Sequence, residues 1–286
     1  MLCSNTRWEF LREAQKQSEE GIGRAILVQN CIRDKGLISF IAETCKKAIK
    51  ATDNFSSCLV FYTVMSLEII ETVPSLQEKL VATFLPFLIE GIQYTARSSY
   101  QTASYMIVSQ LASKTAFSPI LIETLLVNVI KHCAAVPVDA LTLILHLCQT
   151  QEINQFPESF VKLLIAVPEL LEMLNDLSDR YDCTGFMKSL VNFLLDNISE
   201  GQYFDVLQKI VAEYTRVSKL IPQIASVVLS HYLSHKKKPM LRFIHLVETR
   251  FPLEFDGVLT QKFKELQNSS AKDKNAKKQL ATLSSL

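Results

Sequence analysis

Two histidines four residues apart, His231 and His235, have the spacing in this sequence that most resembles a metal site. On a helix, this spacing places both imidazoles on one face, where they could bind one zinc ion. The zinc-protease pattern needs a glutamate directly after the first histidine, and this sequence has Tyr232 there. Because no cysteine pair or nearby acidic residue completes a set of ligands, we expect two structural histidines on a helix surface.

Other patterns of catalytic residues are incomplete. Gly21-Ile22-Gly23 resembles part of a phosphate-binding loop, but the third glycine is absent and no predicted strand precedes it. The Gly-x-Ser-x-Gly pattern of a nucleophilic serine does not occur, and the acidic pairs Glu19-Glu20 and Asp176 with Asp179 are typical of a solvated surface. We therefore expect a protein that is not an enzyme, without catalytic, cofactor-binding or metal-binding residues and without a small-molecule substrate.

Lysines gather in three clusters, one on a predicted helix at 46–50, one in a predicted loop at 236–238 and one near the C-terminus. Each cluster could contact nucleic-acid phosphates whatever the base sequence, or it could be an ordinary solvated face or linker. Aromatic residues do not alternate with these lysines, so stacking on bases is not indicated. The candidate nucleic-acid contacts are Lys236, Lys237, Lys238, Lys272, Lys274, Lys277 and Lys278.

The composition of the 286 residues favours helices around a sizeable apolar core. Hydrophobic residues make up 48% and charged residues 21%, and only Asp256-Gly257 has the turn chemistry that hairpins need. The net charge of +1 gives no global attraction to nucleic acid or to an anionic membrane. The seven cysteines lie far apart among apolar neighbours, which is typical of buried thiols in a reducing compartment. Neither a secretory signal nor a membrane-spanning helix is expected.

Apolar residues recur at helical spacing along most of the chain, and prolines mark several helix starts. Short connections imply antiparallel neighbours, and grouping about a dozen helices in twos gives units of roughly 35 to 45 residues. We therefore predict an all-α fold, a HEAT- or armadillo-like α-solenoid of stacked antiparallel helix pairs, with a compact helical bundle as the alternative. The predicted organisation is an N-terminal lead-in at 1–21, a repeat array at 22–267 and a disordered polar and basic tail at 268–286.

Several stretches resemble one known family, in the same order along the chain. They are Lys35 to Ile41, Phe84 to Gly91, Tyr100 to Ile107, Val167 to Leu171 with Arg180-Tyr181-Asp182, and Leu246 to Pro252 with Asp256 to Leu259. The family is the HEAT-repeat-containing nucleolar family, which includes the large U-three small nucleolar RNA-associated scaffold of the small-subunit processome. Its members are several times longer, so the resemblance implies that this chain corresponds to an N-terminal part.

The resemblance implies a non-catalytic scaffold in the nucleus and nucleolus. Its partners would be processome proteins and precursor ribosomal or small nucleolar RNA, contacted directly or indirectly, without a cofactor or a membrane. Such a scaffold would support processing of the small-subunit ribosomal RNA precursor and transcription by RNA polymerase I. The alternative is a HEAT-repeat transport receptor or regulatory subunit that grips peptide segments in a groove.

Overall fold

The computed structural model describes residues 10, 22–51, 55–235, 238–270 and 274–283. Within these residues there are fifteen α-helices, two short 3-10 turns and no strand. The predicted all-α, HEAT-like fold class is therefore confirmed. The chain forms two compact units, Met1–Gln151 and Glu152–Leu286, a division that the sequence did not reveal.

Seven helices of the first unit are arranged in two rows. Odd-numbered helices pack on one another in one row, and even-numbered helices pack in the other. Contacts between the rows join α1 to α2, α2 to α3, α4 to α5 and α6 to α7. Alternation between two rows is the arrangement expected of stacked antiparallel helix pairs. The helices are α1 (Arg24–Arg33), α2 (Lys35–Ala51), α3 (Ser56–Thr72), α4 (Glu78–Gln93), α5 (Ser98–Lys114), α6 (Pro119–Lys131) and α7 (Pro137–Thr150).

Proline and serine set some of these helix starts, as the sequence predicts. Ser118 precedes α6 and its Oγ accepts a hydrogen bond from the backbone N–H of Leu121, while Pro119 takes the first helical position. Pro137 likewise takes the first helical position of α7. Pro86 lies inside α4, and the helix continues through it. Gly23 lies directly before α1.

The second unit repeats the alternation. Helix contacts join α10 to α12 and α12 to α14, and successive helices from α12 to α15 also touch. The helices are α8 (Glu158–Leu164), α9 (Leu170–Ser178), α10 (Thr184–Asp196), α11 (Gly201–Glu213), α12 (Ile221–His235), α13 (Lys238–Arg250), α14 (Pro252–Ser270) and α15 (Lys274–Leu283).

Part of the predicted tail at 268–286 lies outside the described residues, which here are 268–270 and 274–283. Helix α14 continues to Ser270, and α15 forms a further helix that contacts α12 and α14. Leu280 and Leu283 lie three residues apart, which places both on one helix face, and Leu283 is only 4% exposed. Leu283 therefore packs into the second unit from the described end of the chain.

Polar side chains connect equivalent helices at a regular sequence distance within each unit. In the first unit such hydrogen bonds span from 33 residues, between Ser113 and His146, to 43 residues, for Lys114 to the carbonyl of Glu71. In the second unit they span from 31 residues, for Gln223 to Asn192, to 40 residues, for Thr215 to Asn175. These distances agree with the predicted repeat length, because each bond links one helix pair to the next.

Candidate functional site

The lysine clusters proposed from the sequence are described only in part. Lys236, Lys237 and Lys272 lie outside the described residues. Lys238 is exposed at the first position of α13. For Lys274, Lys277 and Lys278 the structure describes the backbone of α15 and not the side chains. Contact of these lysines with nucleic acid therefore stays a prediction.

In the remaining cluster, on α2, two of the lysines are engaged with a carboxylate of the next repeat. The Nζ atoms of Lys46 and Lys50 lie 3.1 Å and 2.6 Å from the carboxylate oxygens of Glu90 on α4. Desolvation alone would raise the pKa of Glu90, but the hydrogen bonds from Lys50 and Lys46 outweigh it and lower that pKa. These two lysines therefore join α2 to α4. Because Glu90 compensates part of their charge, less positive charge is left to attract a nucleic acid.

The two histidines at four-residue spacing make packing contacts. The rings of His231 and His235 stack with centroids 4.3 Å apart. His231 Nδ1 lies 3.2 Å from Met240 Sδ, and its Nε2 lies 3.4 Å from Ser199 Oγ. No group of three or more His, Cys, Asp or Glu residues in the described part of the chain is placed to hold a metal ion.

A cavity of about 590 Å³ opens in the second unit, where the loop after α9 meets the loop after α11. We call it the loop cavity. Its lining combines three cations, two carboxylates, hydroxyl groups and a tyrosine that is 45% exposed. The lining includes Asp179, Arg180, Tyr181, Asp182, Thr215, Arg216 and Lys219.

Hydrogen bonds from α9 hold the two loops of this cavity together. The side-chain Nδ2 of Asn175 donates to the carbonyl of Glu213 at 3.0 Å, and its Oδ1 accepts from the backbone N–H of Thr215 at 3.0 Å. Arg216 Nη2 lies 3.1 Å from Asp179 Oδ1 and forms an ion pair across the same gap. The cavity walls are therefore positioned by contacts between successive repeats, before any partner binds.

The charges of the loop cavity are only partly compensated. Hydrogen bonds from Thr184 lower the pKa of Asp182, and the positive charges of Lys219 and Arg216 lower it further. By contrast, neither Arg180 nor Lys219 forms an ion pair with another described residue, and both are exposed. Exposed tyrosine and arginine are the residue types that dominate binding energy at protein interfaces. The loop cavity thus has the composition of a protein-binding surface.

A second cavity of about 540 Å³ in the same unit is lined mainly by amide and apolar side chains. It lies between the loop before α8 and the faces of α10 and α12, and we call it the amide cavity. Its amides are Asn154, Gln155, Asn192 and Gln223, and Asp196 is the one charged residue among the described residues that line it. The sequence reasoning missed both cavities, although the Arg180-Tyr181-Asp182 stretch of the resemblance lies in the first.

A search of the described helices for a membrane span found none with sufficient length and apolar character to cross a bilayer. The uncharged stretch on α5 is interrupted by Ser, Thr and Gln, several of which bond to neighbouring helices. These polar residues serve packing between repeats in this unit.

Comparisons with known proteins agree with the family resemblance. Residues 80–194 match the family described as U3 small nucleolar RNA-associated protein 10. Human HEAT repeat-containing protein 1 is 22% identical over 92% of the chain, and the zebrafish protein of that name is 24% identical over 93%. A Dictyostelium discoideum homologue is 26% identical over 78% of the chain. The chain spans 14% of the length of the human and zebrafish relatives.

Proposed function

We propose, from the chain's relationship to the HEAT repeat-containing protein 1 family, that it is a non-catalytic scaffold in ribosome biogenesis. In this role the helical repeats would help assemble the small-subunit processome, in the nucleolus, for processing of the precursor to the small-subunit ribosomal RNA. Support for RNA polymerase I transcription would follow from the same assembly. The similarity to human HEAT repeat-containing protein 1 over 92% of the chain is the observation that carries the proposal.

The loop cavity is the proposed contact for a processome protein. Arg180 and Lys219 offer positive charge without an ion-pair partner in the described chain, and Tyr181 offers an exposed ring. Asp179 and Asp182 reduce the net charge of the lining to about +1, since three cations face two carboxylates. The negatively charged backbone of RNA would be repelled by both carboxylates, whereas a protein segment can place its own hydrogen-bond donors against them. A protein partner with acidic side chains is therefore the better match.

Binding by a scaffold depends on several modest contacts acting together. A cavity of this size supplies only part of a stable interface, so further surfaces of the repeats must contribute. Contact with precursor or small nucleolar RNA would come from the lysines at 236–238 and 272–278, or indirectly through bound proteins. Because phosphate contacts weaken as salt rises, the two routes to RNA differ in their salt dependence.

The test is affinity purification of the tagged chain from nuclear extract at moderate and at high salt, with proteins and RNA identified together. Recovery of processome proteins with precursor ribosomal RNA is the expected result. RNA lost at high salt while the proteins remain would indicate an electrostatic or indirect RNA contact. Recovery of soluble cargo or of a phosphatase, without processome proteins, would refute the proposal and favour a transport receptor or regulatory subunit.

A charge-reversal variant examines the loop cavity itself. The double substitution Arg180→Glu with Lys219→Glu should lower recovery of at least one processome protein about tenfold, because two attractive contacts become repulsive. The control is Lys188→Glu, which reverses one exposed charge on α10 outside the lining of the cavity. Equal recovery by the double variant and the control would exclude the loop cavity and leave the family assignment untouched.

A further inference from the structure

The amide cavity presents hydrogen-bonding groups that the described part of the chain leaves unused. Asn154 and Gln155 are exposed in the loop before α8, and neither side chain bonds to another described residue. Gln223 Nε2 donates to Asn192 Oδ1, a bond that joins α12 to α10. The Nδ2 donor of Asn192 and the Oε1 acceptor of Gln223 take no part in that bond, and both residues line the cavity. Donors and acceptors are therefore both available at its surface.

Packing around the cavity holds these groups in place. Ser189 Oγ donates to the carbonyl of Ile153 at 3.0 Å and ties the loop that carries Asn154 to α10. The ring of Phe193 meets that of Tyr203 edge to face with centroids 5.3 Å apart. Phe156 is only 5% exposed and packs against Phe160 and Phe186, with centroids 5.0 Å and 5.3 Å away. A ligand would thus meet a lining that is already ordered.

The chemistry of the lining selects the ligand. A carboxamide carries the same N–H donor and C=O acceptor as a peptide bond, so a set of amides can pair with the backbone of an extended chain. The apolar residues Phe193 and Val227 offer contact area for small side chains. Asp196 is exposed and has no ion-pair partner among the described residues, so it supplies a negative charge to one side of the cavity.

We propose that the amide cavity binds an extended peptide segment of a partner protein, with a Lys or Arg side chain of the segment paired to Asp196. The volume of about 540 Å³ lies in the range of established ligand sites. None of the described residues that line the cavity is Lys or Arg, whereas sites for single-stranded nucleic acid have a basic groove that follows the backbone. The peptide is therefore favoured over an oligonucleotide.

This inference goes beyond the proposed function, because it concerns a different cavity and holds for any assembly that the chain joins. The amide cavity also differs in charge from the loop cavity, where the groups without an ion-pair partner in the described chain are the cations Arg180 and Lys219. One unit would thus offer two sites of opposite preference, one for acidic and one for basic segments.

The test measures binding of short fluorescent peptides to the purified chain by fluorescence polarisation. The peptides are built from Thr and Val, which favour an extended chain, with Ser to keep them in solution and with either one Lys or one Glu at each position in turn. Peptides with Lys at the best position should bind about tenfold more tightly than their Glu counterparts, a difference of about 1.4 kcal/mol. Asp196→Asn should remove most of that preference.

Two substitutions examine the amides, with a matched control. Gln155→Ala and Asn192→Ala should each weaken peptide binding about three- to tenfold, since each removes hydrogen bonds to the backbone. Gln155 lies in an exposed loop, so its substitution leaves the core intact. Gln202→Ala is the control, because it removes an exposed amide of α11 outside the cavity and should leave binding unchanged.

Three results would overturn the inference. Lys and Glu peptides could bind equally, both amide variants could bind as tightly as the unchanged protein, or no peptide could bind at all. A labelled single-stranded RNA that binds and is released by the same substitutions would assign the cavity to nucleic acid instead. These outcomes do not depend on recovery of processome proteins, so they separate a failure here from a failure of the proposed function.

Discussion

Replacement of Gly91 by alanine measures how closely two helices of the first unit approach. A Cβ atom at this position would lie 2.0 Å from Ser104 Oγ, 3.1 Å from Ser104 Cβ and 3.0 Å from Tyr100 Cε2. The first contact can be relieved if the serine side chain rotates, but the second cannot, because the Cβ of Ser104 is fixed to the backbone of α5. Helices α4 and α5 must therefore move apart by several tenths of an ångström.

Opposing effects set the change in the free energy of unfolding that Gly91→Ala causes. Alanine stabilises a helix interior relative to glycine by about 1 kcal/mol. Against this, overpacking of a dense core costs about 1–3 kcal/mol. Rotation of Ser104 also breaks its 2.8 Å hydrogen bond to the carbonyl of Tyr100, which costs about 1 kcal/mol. The free energy of unfolding should therefore fall by about 1–3 kcal/mol in the Gly91→Ala variant.

Urea unfolding followed by circular dichroism is the assay, with Gly257→Ala as the matched control. Gly257 lies inside α14, and a Cβ there would meet nothing within 4 Å, so only the helix-propensity gain remains. The control should be unchanged or more stable by up to about 1 kcal/mol. In a Ser104→Ala background, Gly91→Ala should cost less than it does alone. The reasoning fails if Gly91→Ala proves as stable as the unchanged protein.

Three further predictions concern buried polar and thiol groups. Gln101→Leu should destabilise the first unit by about 2–3 kcal/mol, because Gln101 is fully buried and donates to the carbonyls of Ile92 and His132. The half-buried Gln110 donates one hydrogen bond, to the carboxylate of Glu71, so Gln110→Leu should cost about 1 kcal/mol or less in the same urea assay. Burial raises the pKa of the Cys148 thiol from 9.0 to about 12, so the stability that its neutral form contributes is complete below pH 9.0 and declines as the pH rises toward 12. Between these pH values the free energy of unfolding should fall by at most about 1.4 kcal/mol per pH unit. The stability of the Cys148→Ala variant should be less sensitive to alkaline pH, and identical pH profiles for the variant and the unchanged protein would contradict this. Iodoacetamide at about pH 8 should label exposed Cys58 long before Cys148, as peptide mass spectrometry can measure, and equal rates would show that Cys148 is not buried in solution.

The helical fold was predictable because its signals are local. Pro119 and Pro137 lie at helix starts in the sequence and in the structure, since a proline at the first helical position loses no hydrogen bond. The repeat length was predictable for the same reason, as it follows from helix lengths and short connections. Helix α15 gives only a weak signal in the sequence, because its two leucines, Leu280 and Leu283, stand against a polar background.

The candidate sites were less accessible to sequence reasoning. Asn192 meets Gln223, and Asn175 meets Thr215, only because adjacent helix pairs stack in a particular register. Neither pair has a fixed spacing that a motif could express. The exposed Arg180 was recognisable through the family resemblance, but its proximity to Lys219 depends on the return of the chain one repeat later.

The regular span of the hydrogen bonds between repeats has a consequence for synthesis of the protein. None of the bonds described here between equivalent helices reaches further than 43 residues along the chain. Each helix pair can therefore find its partners soon after the next pair leaves the ribosome, without waiting for a distant C-terminal segment. Low contact order of this kind favours rapid folding from the N-terminal side and shortens the time during which apolar faces are exposed to aggregation.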